Sequence, residues 1–242
     1  MSDTSSVKKT AADEKKENPL LSLILNIAIP AIILTKFSGE DYFGPVWGLV
    51  VALLFPFAYG VYDFISRKKI NFISALGLIS ILLTGGIGLL ELDPEWIAIK
   101  EAGVPLVIGL FVFGSAFSPF PLVRKFVYNE SLINLDAVDN ALTENGTRAA
   151  FDKTLIIANH LVAGSFMFSA VMNYVLAKMI VKSPPGSVAF NEELGRMTAL
   201  SYPVIAIPSM IILVGVLYFT ITRIKKLTNL DLKGILAEGL SE

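Results

Sequence analysis

Long apolar stretches restrict what this chain can fold into more than any other feature of its sequence. Six of them, at 20–37, 43–64, 72–90, 98–117, 154–180 and 199–222, are each long enough to cross a hydrocarbon core of about 30 Å as a helix. The hydrophobic fraction of 54% is higher, and the charged fraction of 17% lower, than soluble domains show. The sequence therefore predicts an all-α membrane helix bundle with six transmembrane helices.

Basic residues fall mostly on one side of the predicted spans. If the chain starts in the cytoplasm, fifteen of its twenty Lys and Arg residues lie on the cytoplasmic side. The positive-inside rule then predicts that both termini are cytoplasmic. The net charge of −1 gives no indication of a basic surface for nucleic acid, so no nucleic-acid partner is expected.

The predicted spans divide the chain into three parts. Residues 1–18 alternate charged with small polar residues and are predicted to be a disordered cytoplasmic tail. Residues 19–222 form the six-helix transmembrane domain, with a cytoplasmic amphipathic connection at 119–153. Residues 223–242 are predicted to be a cytoplasmic amphipathic C-terminal helix.

The connection at 119–153 contains apolar residues at helical spacing, before a stop at Asn145-Gly146. This pattern predicts an amphipathic helix that lies on its own bundle, on the lipid surface or on a partner. After the sixth span, basic residues precede Thr228 and Asp231, which we interpret as a capping box. These basic residues either bind anionic lipid headgroups or only anchor the topology.

Small residues recur every fourth position in the second span, at Gly44, Gly48, Ala52 and Gly60. Such a stripe lets a neighbouring helix backbone approach closely in a membrane. The third span offers further small residues, with Ser80, Thr84 and Gly88 at the same four-residue spacing and Gly85 and Gly86 between them. Packing within the chain and a homodimer interface are both open interpretations.

Prolines interrupt the predicted spans and are expected to kink them. Two lie in similar strings, Asn26 to Pro30 in the first span and Glu101 to Pro105 in the fourth. With three spans in each half, this similarity raises the hypothesis of an inverted repeat such as transporters use.

Polar residues within apolar spans are costly and are therefore candidate site residues. Lys100 and Glu101 begin the fourth span, where they either form a charged pair, with Asp93 and Glu95 as further possible partners of Lys100, or Lys100 snorkels to the interface. His160 is the only histidine and suits proton transfer. The full candidate set is Lys100, Glu101, Asn159, His160, Asn26 and Asn173, with the two asparagines Asn26 and Asn173 expected to form hydrogen bonds between helices.

Signatures of catalysis are missing from the sequence. It has no nucleophile elbow, zinc-protease motif or phosphate-binding loop, and it contains no cysteine. A single histidine cannot build a site with several histidine ligands. We therefore expect no enzyme activity, no cofactor and no metal.

A set of short motifs between positions 61 and 126 resembles the intracellular septation protein A-like family of bacterial inner-membrane proteins. The family has a basic turn, a Gly-Gly helix, an acidic loop leading to Ile-Lys, and a Gly-Ser helix end before Pro-Leu and basic residues. The matching residues here are Arg67-Lys-Lys69, Gly85-Gly86, Glu91 to Glu95, Ile99-Lys100, Gly114-Ser115, Pro121-Leu122 and Arg124-Lys125. Lys100-Glu101-Ala102 replaces the family's usual Lys-Pro-Thr, and the chain is longer than most members.

The resemblance implies a multi-pass protein of the bacterial inner membrane that maintains the envelope or acts in cell division. It would work through contacts with membrane lipids and with envelope or division proteins. The alternative hypothesis is a small secondary transporter, in which Lys100, Glu101 and His160 line one cavity between broken helices. A transporter predicts that these side chains converge, whereas a scaffold predicts that each is satisfied separately.

Overall fold

The computed structural model describes residue 20 and residues 23–67, 72–118, 121–130 and 132–237. Within these residues the secondary structure is helical, without a β-strand, and one isolated bridge joins Ile133 to Leu236. The predicted all-α class is thereby confirmed. The predicted tail at 1–18 and the end of the predicted C-terminal helix at 238–242 lie outside the described residues. The helices in chain order are α1 (Ile24–Lys36), α2 (Gly44–Arg67), α3 (Phe72–Leu89), α4 (Glu95–Ser115), α5 (Leu122–Val127), α6 (Leu135–Glu144), α7 (Arg148–Ile180), α8 (Val188–Thr228) and α9 (Leu232–Ile235).

Four helices in the described part of the chain are long and apolar enough to cross a membrane: Gly44–Tyr62 of α2, α4, α7 and α8. Only 22% of the apolar window of α4 is buried inside the chain, so most of its apolar side chains need lipid or a partner to cover them. The other two predicted spans coincide with shorter apolar helices, Ile24–Lys36 and Ile79–Leu89. Crossing by α1 and α3 therefore stays a prediction.

Helices α7 and α8 are longer than a bilayer requires. They contain 33 and 41 residues, which corresponds to about 50 and 60 Å against a hydrocarbon core of about 30 Å. Helix α8 starts at Val188, well before the predicted position 199, because the hydroxyl of Ser187 caps it by accepting a hydrogen bond from the Phe190 N–H at 3.1 Å. Both helices therefore extend beyond the apolar layer and can carry structure outside it.

One apolar core joins six helices at the end of the bundle where α7 ends and α8 begins. Its members are buried, and Ala52, Ile97 and Phe190 are fully enclosed. The core consists of Ile33, Leu34, Leu49, Ala52, Ile87, Ile97, Ala98, Ala177, Val181, Phe190, Leu194 and Met197. This end of the bundle is therefore held together by side chains that are distant in sequence.

A second apolar core lies at the opposite end, where α7 begins and α8 ends, and we call this end the basic end. Val138 and Leu142 of α6 are fully buried there against Phe151 of α7 and Ile224 of α8. The predicted amphipathic helix is thus confirmed, and it packs on its own bundle. Its caps also match the prediction, because Asn145 is the C-terminal cap and Gly146 has a φ of +65°.

The predicted C-terminal helix from residue 223 is wrong in its boundaries. Helix α8 continues to Thr228, whose hydroxyl donates to the Ile224 carbonyl at 2.8 Å instead of capping a new helix. Asn229 then ends α8 with a φ of +57°. Asp231 caps the short α9 by accepting from the Gly234 N–H at 2.8 Å. The capping box was misplaced because Thr228 and Asp231 lie on opposite sides of this left-handed turn.

Two helices contain a widened π turn directly before an Ile-Pro pair. The π turns are Ile24–Ala28 in α1 and Tyr202–Ala206 in α8, and they precede Pro30 and Pro208. Each closes with an i to i−5 hydrogen bond, from the Ile29 N–H in α1 and the Ile207 N–H in α8. The wider turn leaves room for a proline ring that clashes with the carbonyl four residues earlier.

Both π turns end in the same four-residue string, Ile-Ala-Ile-Pro, at 27–30 and 205–208, whose first two residues close the turn. Helix α4, by contrast, stays a regular α-helix through Pro105. The predicted equivalence of the strings around Pro30 and Pro105 is therefore wrong at the level of local geometry. The structural counterpart of the first string is in α8.

The predicted small-residue contacts are confirmed at four positions. A Cβ atom at Gly48 would lie 2.9 Å from Ser38 Cα, so no side chain fits there. Gly85 and Gly88 are also crowded by side chains of neighbouring helices, and Ala52 is fully buried. These contacts lie within one chain, as the packing interpretation expected.

The described part of the chain makes no such contact at Gly44, Gly60 and Gly86, where a Cβ atom would meet nothing within 4 Å. Residues four apart on an α-helix are offset by about 40°, so Gly60 lies about 120° around α2 from Gly48. Gly44 is needed for a different reason, since its φ is +71° where the chain enters α2. A homodimer interface that uses the open small residues stays a prediction.

Candidate functional site

The ammonium group of Lys100 is buried between α3 and α4. The side chain is 6% exposed, and Nζ donates to Glu101 Oε1 at 2.6 Å, Thr84 Oγ1 at 2.8 Å and Ser80 Oγ at 3.3 Å. An ammonium group has three hydrogens to donate, and here it has three acceptors. Lys100 is therefore fully hydrogen-bonded.

Helix α3 presents two hydroxyl groups to the lysine because Ser80 and Thr84 lie one turn apart on the same face. Thr84 Oγ1 also donates to the Ser80 carbonyl at 2.9 Å, which leaves its lone pairs to accept from Lys100. Glu101 supplies the neutralising charge and is 27% exposed. The arrangement ties α3 to α4 with a compensated charge, which is what a charge in a low-dielectric region requires.

The structure shows the expected Lys100–Glu101 pair, whereas the snorkelling alternative and the pairing of Lys100 with Asp93 or Glu95 do not fit this arrangement. Glu95 instead accepts from Lys178 Nζ at 2.9 Å and from the Tyr174 hydroxyl at 3.3 Å. Asp93 accepts from the backbone N–H of Glu95 at 2.8 Å. The lysine turns away from this acidic loop because the hydroxyl pair on α3 lies within its reach.

Asn159 is fully buried and connects α7 to the end of α4 and the start of α5. Its amide donates to the Val112 carbonyl at 2.6 Å, and its Oδ1 accepts from the Val123 N–H at 3.1 Å and the Ser115 hydroxyl at 3.3 Å. Ser115 Oγ in turn accepts from the Leu122 N–H at 3.1 Å. Asn159 thus satisfies backbone groups that a helix end leaves open, and its role is to fix the α4–α5 connection.

His160 lies apart from Lys100 and Glu101. Its Nδ1 is 2.8 Å from the carbonyl of Ile156 in its own helix, and its ring makes edge contacts with Phe113 and Phe117 at centroid distances of 5.3 and 6.4 Å. Phe113 and Lys100 are thirteen residues apart on α4, which corresponds to about 20 Å. The two candidate positions therefore do not line one cavity.

Among the described residues Asn173 forms no hydrogen bond between helices, contrary to expectation. Its amide donates to the carbonyl of Ser169 at 2.8 Å and to the hydroxyl of the same residue at 3.3 Å, one turn earlier in α7. Asn26 lies in the π turn of α1. The structure thus separates the Lys100–Glu101 pair from Asn159 and His160 instead of joining them in one site.

A buried polar contact that the sequence did not predict involves Asn191. Its amide donates to the Pro45 carbonyl at 2.6 Å and to the Ser38 hydroxyl at 3.1 Å, and both Asn191 and Ser38 are 1% exposed. One turn later, a Cβ atom at Gly195 would lie 2.9 Å from the Ala31 carbonyl oxygen. These contacts hold the start of α8 against α1, the loop that follows α1 and the first turn of α2. The only indication of this contact in the sequence is Gly195, a small residue one helical turn after Asn191.

At the basic end, Tyr128 lies between two arginines. The guanidinium carbons of Arg124 and Arg148 are 5.8 and 5.6 Å from its ring centroid, and Arg148 also pairs with Asp139 of α6. Burial raises the pKa of the Tyr128 hydroxyl, and the nearby Asp139 carboxylate raises it further. The hydroxyl therefore stays protonated, and the cluster is a cation–π contact that fastens α5 and α6 to α7.

Residues 23–67, 72–118, 121–130 and 132–237 contain no group of three His, Cys, Asp or Glu side chains that could hold a metal ion. No family model matches the sequence, and no curated protein or solved structure matches it significantly. The functional interpretation therefore depends on the geometry of this chain.

Proposed function

We propose that the chain is a non-enzymatic protein of the bacterial inner membrane that acts in envelope maintenance or septation through contacts with lipids and other membrane proteins. The observation that carries this proposal is the separation of the polar residues. Lys100, Asn159 and His160 each have local partners, and Phe113, the ring that contacts His160, lies about 20 Å along α4 from Lys100. Such residues suit a rigid membrane scaffold better than a transport pathway.

We further propose that the basic end faces the cytoplasm. Arg124, Arg148, Lys225 and Lys226 all lie at this end, and the count of basic residues over the whole sequence supports the same orientation. The layer formed by α5 and α6 would then present a folded surface to cytoplasmic or membrane-bound division proteins. The resemblance to the septation protein A-like family is a second support for this role.

The alternative, a small secondary transporter, has one specific support. Helices α1 and α8 each contain a π turn, and interrupted helices form the binding sites of many transporters. The charged pair Lys100 and Glu101 would then be the coupling site. This alternative requires the two charges for function, whereas a scaffold requires them only as far as folding does.

The test is complementation of a strain in which this protein has been deleted. Cell length and sensitivity to detergent report septation and envelope integrity. The double variant Lys100→Gln/Glu101→Gln should restore normal cell length and normal detergent sensitivity in proportion to the amount of it that accumulates in the membrane. The matched control is Glu95→Gln, which removes an exposed carboxylate on the same helix.

Two outcomes would contradict the proposal. A deletion strain with normal cell length and normal detergent sensitivity would remove the envelope role. A double variant that is folded and abundant but gives no rescue would favour the transporter.

A further inference from the structure

A groove of about 610 Å³ lies at the basic end, between the last turns of α8 and the turn into α9. The left-handed Asn229 reverses the chain there, so that Leu230 and Leu232 face the final turns of α8 across the groove. The lining residues are Tyr218, Ile221, Thr222, Lys225, Lys226, Asn229, Leu230 and Leu232.

The lining changes in chemistry along α8. Tyr218 and Ile221 come first and are continuous with the apolar part of the helix, and Lys225 and Lys226 follow one to two turns later. Apolar surface therefore leads from the lipid-facing part of α8 to a polar mouth at the helix end. This order matches a phospholipid, whose acyl chains lie in the apolar layer and whose phosphate lies at its border.

The positive charges at the mouth are available to a ligand. Within the described residues, neither Lys225 nor Lys226 forms an ion pair. Arg223 lies over the ring of Phe219, with 5.7 Å between its guanidinium carbon and the ring centroid. The nearest carboxylate in sequence, Asp231, caps α9 by accepting a hydrogen bond from the Gly234 N–H through Oδ1.

We propose that this groove binds the headgroup and upper acyl chain of an anionic phospholipid. The inference rests on the proposed membrane role and deepens it by naming a lipid class and a site. Two lysines supply the charge complementarity for a phosphodiester, and Tyr218, Leu230 and Leu232 supply the apolar contact that a free phosphate cannot use. A zwitterionic lipid has no net charge for the lysines to attract.

The experiment is native mass spectrometry of the purified full chain in detergent, titrated with phosphatidylglycerol or phosphatidylcholine. The variant is Lys225→Gln/Lys226→Gln. The matched control is Lys153→Gln/Lys233→Gln, which removes two exposed charges from the same end of the bundle without touching the groove. We expect the groove variant to bind phosphatidylglycerol about 25-fold more weakly, at about fivefold for each lysine, while the control binds as the wild type does.

Three measurements on the wild-type chain keep the proposal testable if the variant fails to fold. Phosphatidylglycerol should bind more tightly than phosphatidylcholine, high salt should weaken only the anionic lipid, and inorganic phosphate should not compete at millimolar concentration. Equal binding of the two lipids, or equal loss in groove and control variants, would overturn the proposal. Competition by inorganic phosphate would overturn it in favour of a free-anion site.

Binding in detergent requires no cells, so it is independent of the complementation test. Loss of the lipid site would leave the envelope role standing. A deletion strain without a phenotype would likewise leave a measured lipid site in place.

Discussion

The backbone of Gly48 in α2 lies against the backbone of Ser38, so that a Cβ atom at Gly48 would be 2.9 Å from Ser38 Cα. Ser38 is itself held by Asn191 of α8 at 3.1 Å. The contact therefore joins α2, the loop after α1 and α8 at one point. A shift of the backbone at either Gly48 or Ser38 would therefore disturb the other segment.

Gly48→Ala should destabilise the chain by about 1–3 kcal/mol, because the added methyl group overpacks this contact. The measurement is the free energy of unfolding in detergent. Gly60→Ala is the matched control, since Gly60 lies in the same helix with nothing within 4 Å of its Cβ position. It should be neutral or slightly stabilising because alanine favours a helix. Equal stability of the two variants would show that the chain relaxes around Gly48.

Asn159→Leu should lower the free energy of unfolding by about 1–3 kcal/mol, because the buried Val123 N–H loses its acceptor. The control is Asn173→Leu, whose amide bonds only within its own helix and should have a smaller effect. Hydrogen exchange at the start of α5 should also become faster in the Asn159 variant alone. Unchanged exchange there would mean that Asn159 does not hold the α4–α5 connection.

Glu101→Gln should be more damaging than Lys100→Gln, because the first leaves a buried ammonium group without its counter-charge. Removing one partner of a buried pair costs about 3–5 kcal/mol, whereas the exposed Glu95–Lys178 pair, screened by solvent, should contribute little. The double variant Lys100→Gln/Glu101→Gln should recover part of the folded yield lost in Glu101→Gln. Additive losses in the double variant would show that the two charges are not coupled.

Cysteine labelling tests the proposed orientation, and the natural absence of cysteine makes the background low. Asp41→Cys and Asn140→Cys place thiols at exposed positions on opposite ends of the bundle. An impermeant reagent should label intact cells at position 41 and should label position 140 only after the membrane is opened. Ser38 is unsuitable for this purpose because it is 1% exposed. Labelling of position 140 in intact cells would reverse the orientation.

Hydropathy and spacing predicted the helices well, because lipid and apolar cores select for apolar residues over whole turns. The amphipathic helix α6 is an example, since Val138, Leu142 and the Asn145-Gly146 stop lie where the pattern placed them. The predictions were weaker wherever two distant segments decide the outcome. Asn191 and Ser38 are 153 residues apart, and no local pattern connects them.

The candidate site shows the same limit in a different form. The spacing of Ser80 and Thr84 predicted helix packing, and the position of Lys100 predicted an ion pair with a nearby carboxylate. Both predictions considered one segment at a time. In the structure, the hydroxyls of Ser80 and Thr84 in α3 accept hydrogen bonds from Lys100 in α4. The Ile-Ala-Ile-Pro string, in contrast, is visible twice in the sequence, and a search for identical short strings would have connected α1 with α8.

If α3 crosses the membrane as the sequence predicts, Lys100 can meet its hydroxyl partners during insertion only when α3 is already in the bilayer as α4 enters it. Synthesis of the chain delivers α3 first, so Ser80 and Thr84 can receive the lysine as it leaves the translocation channel. Lys100 is the sixth residue of α4, and a lysine inside an inserting helix is unfavourable unless a partner compensates its charge. The turn at 90–94 is short enough to bring the two helices together as a hairpin. We therefore expect α3 and α4 to insert as a pair of helices, so slowing the synthesis of α4 should delay the stable insertion of α3 as well.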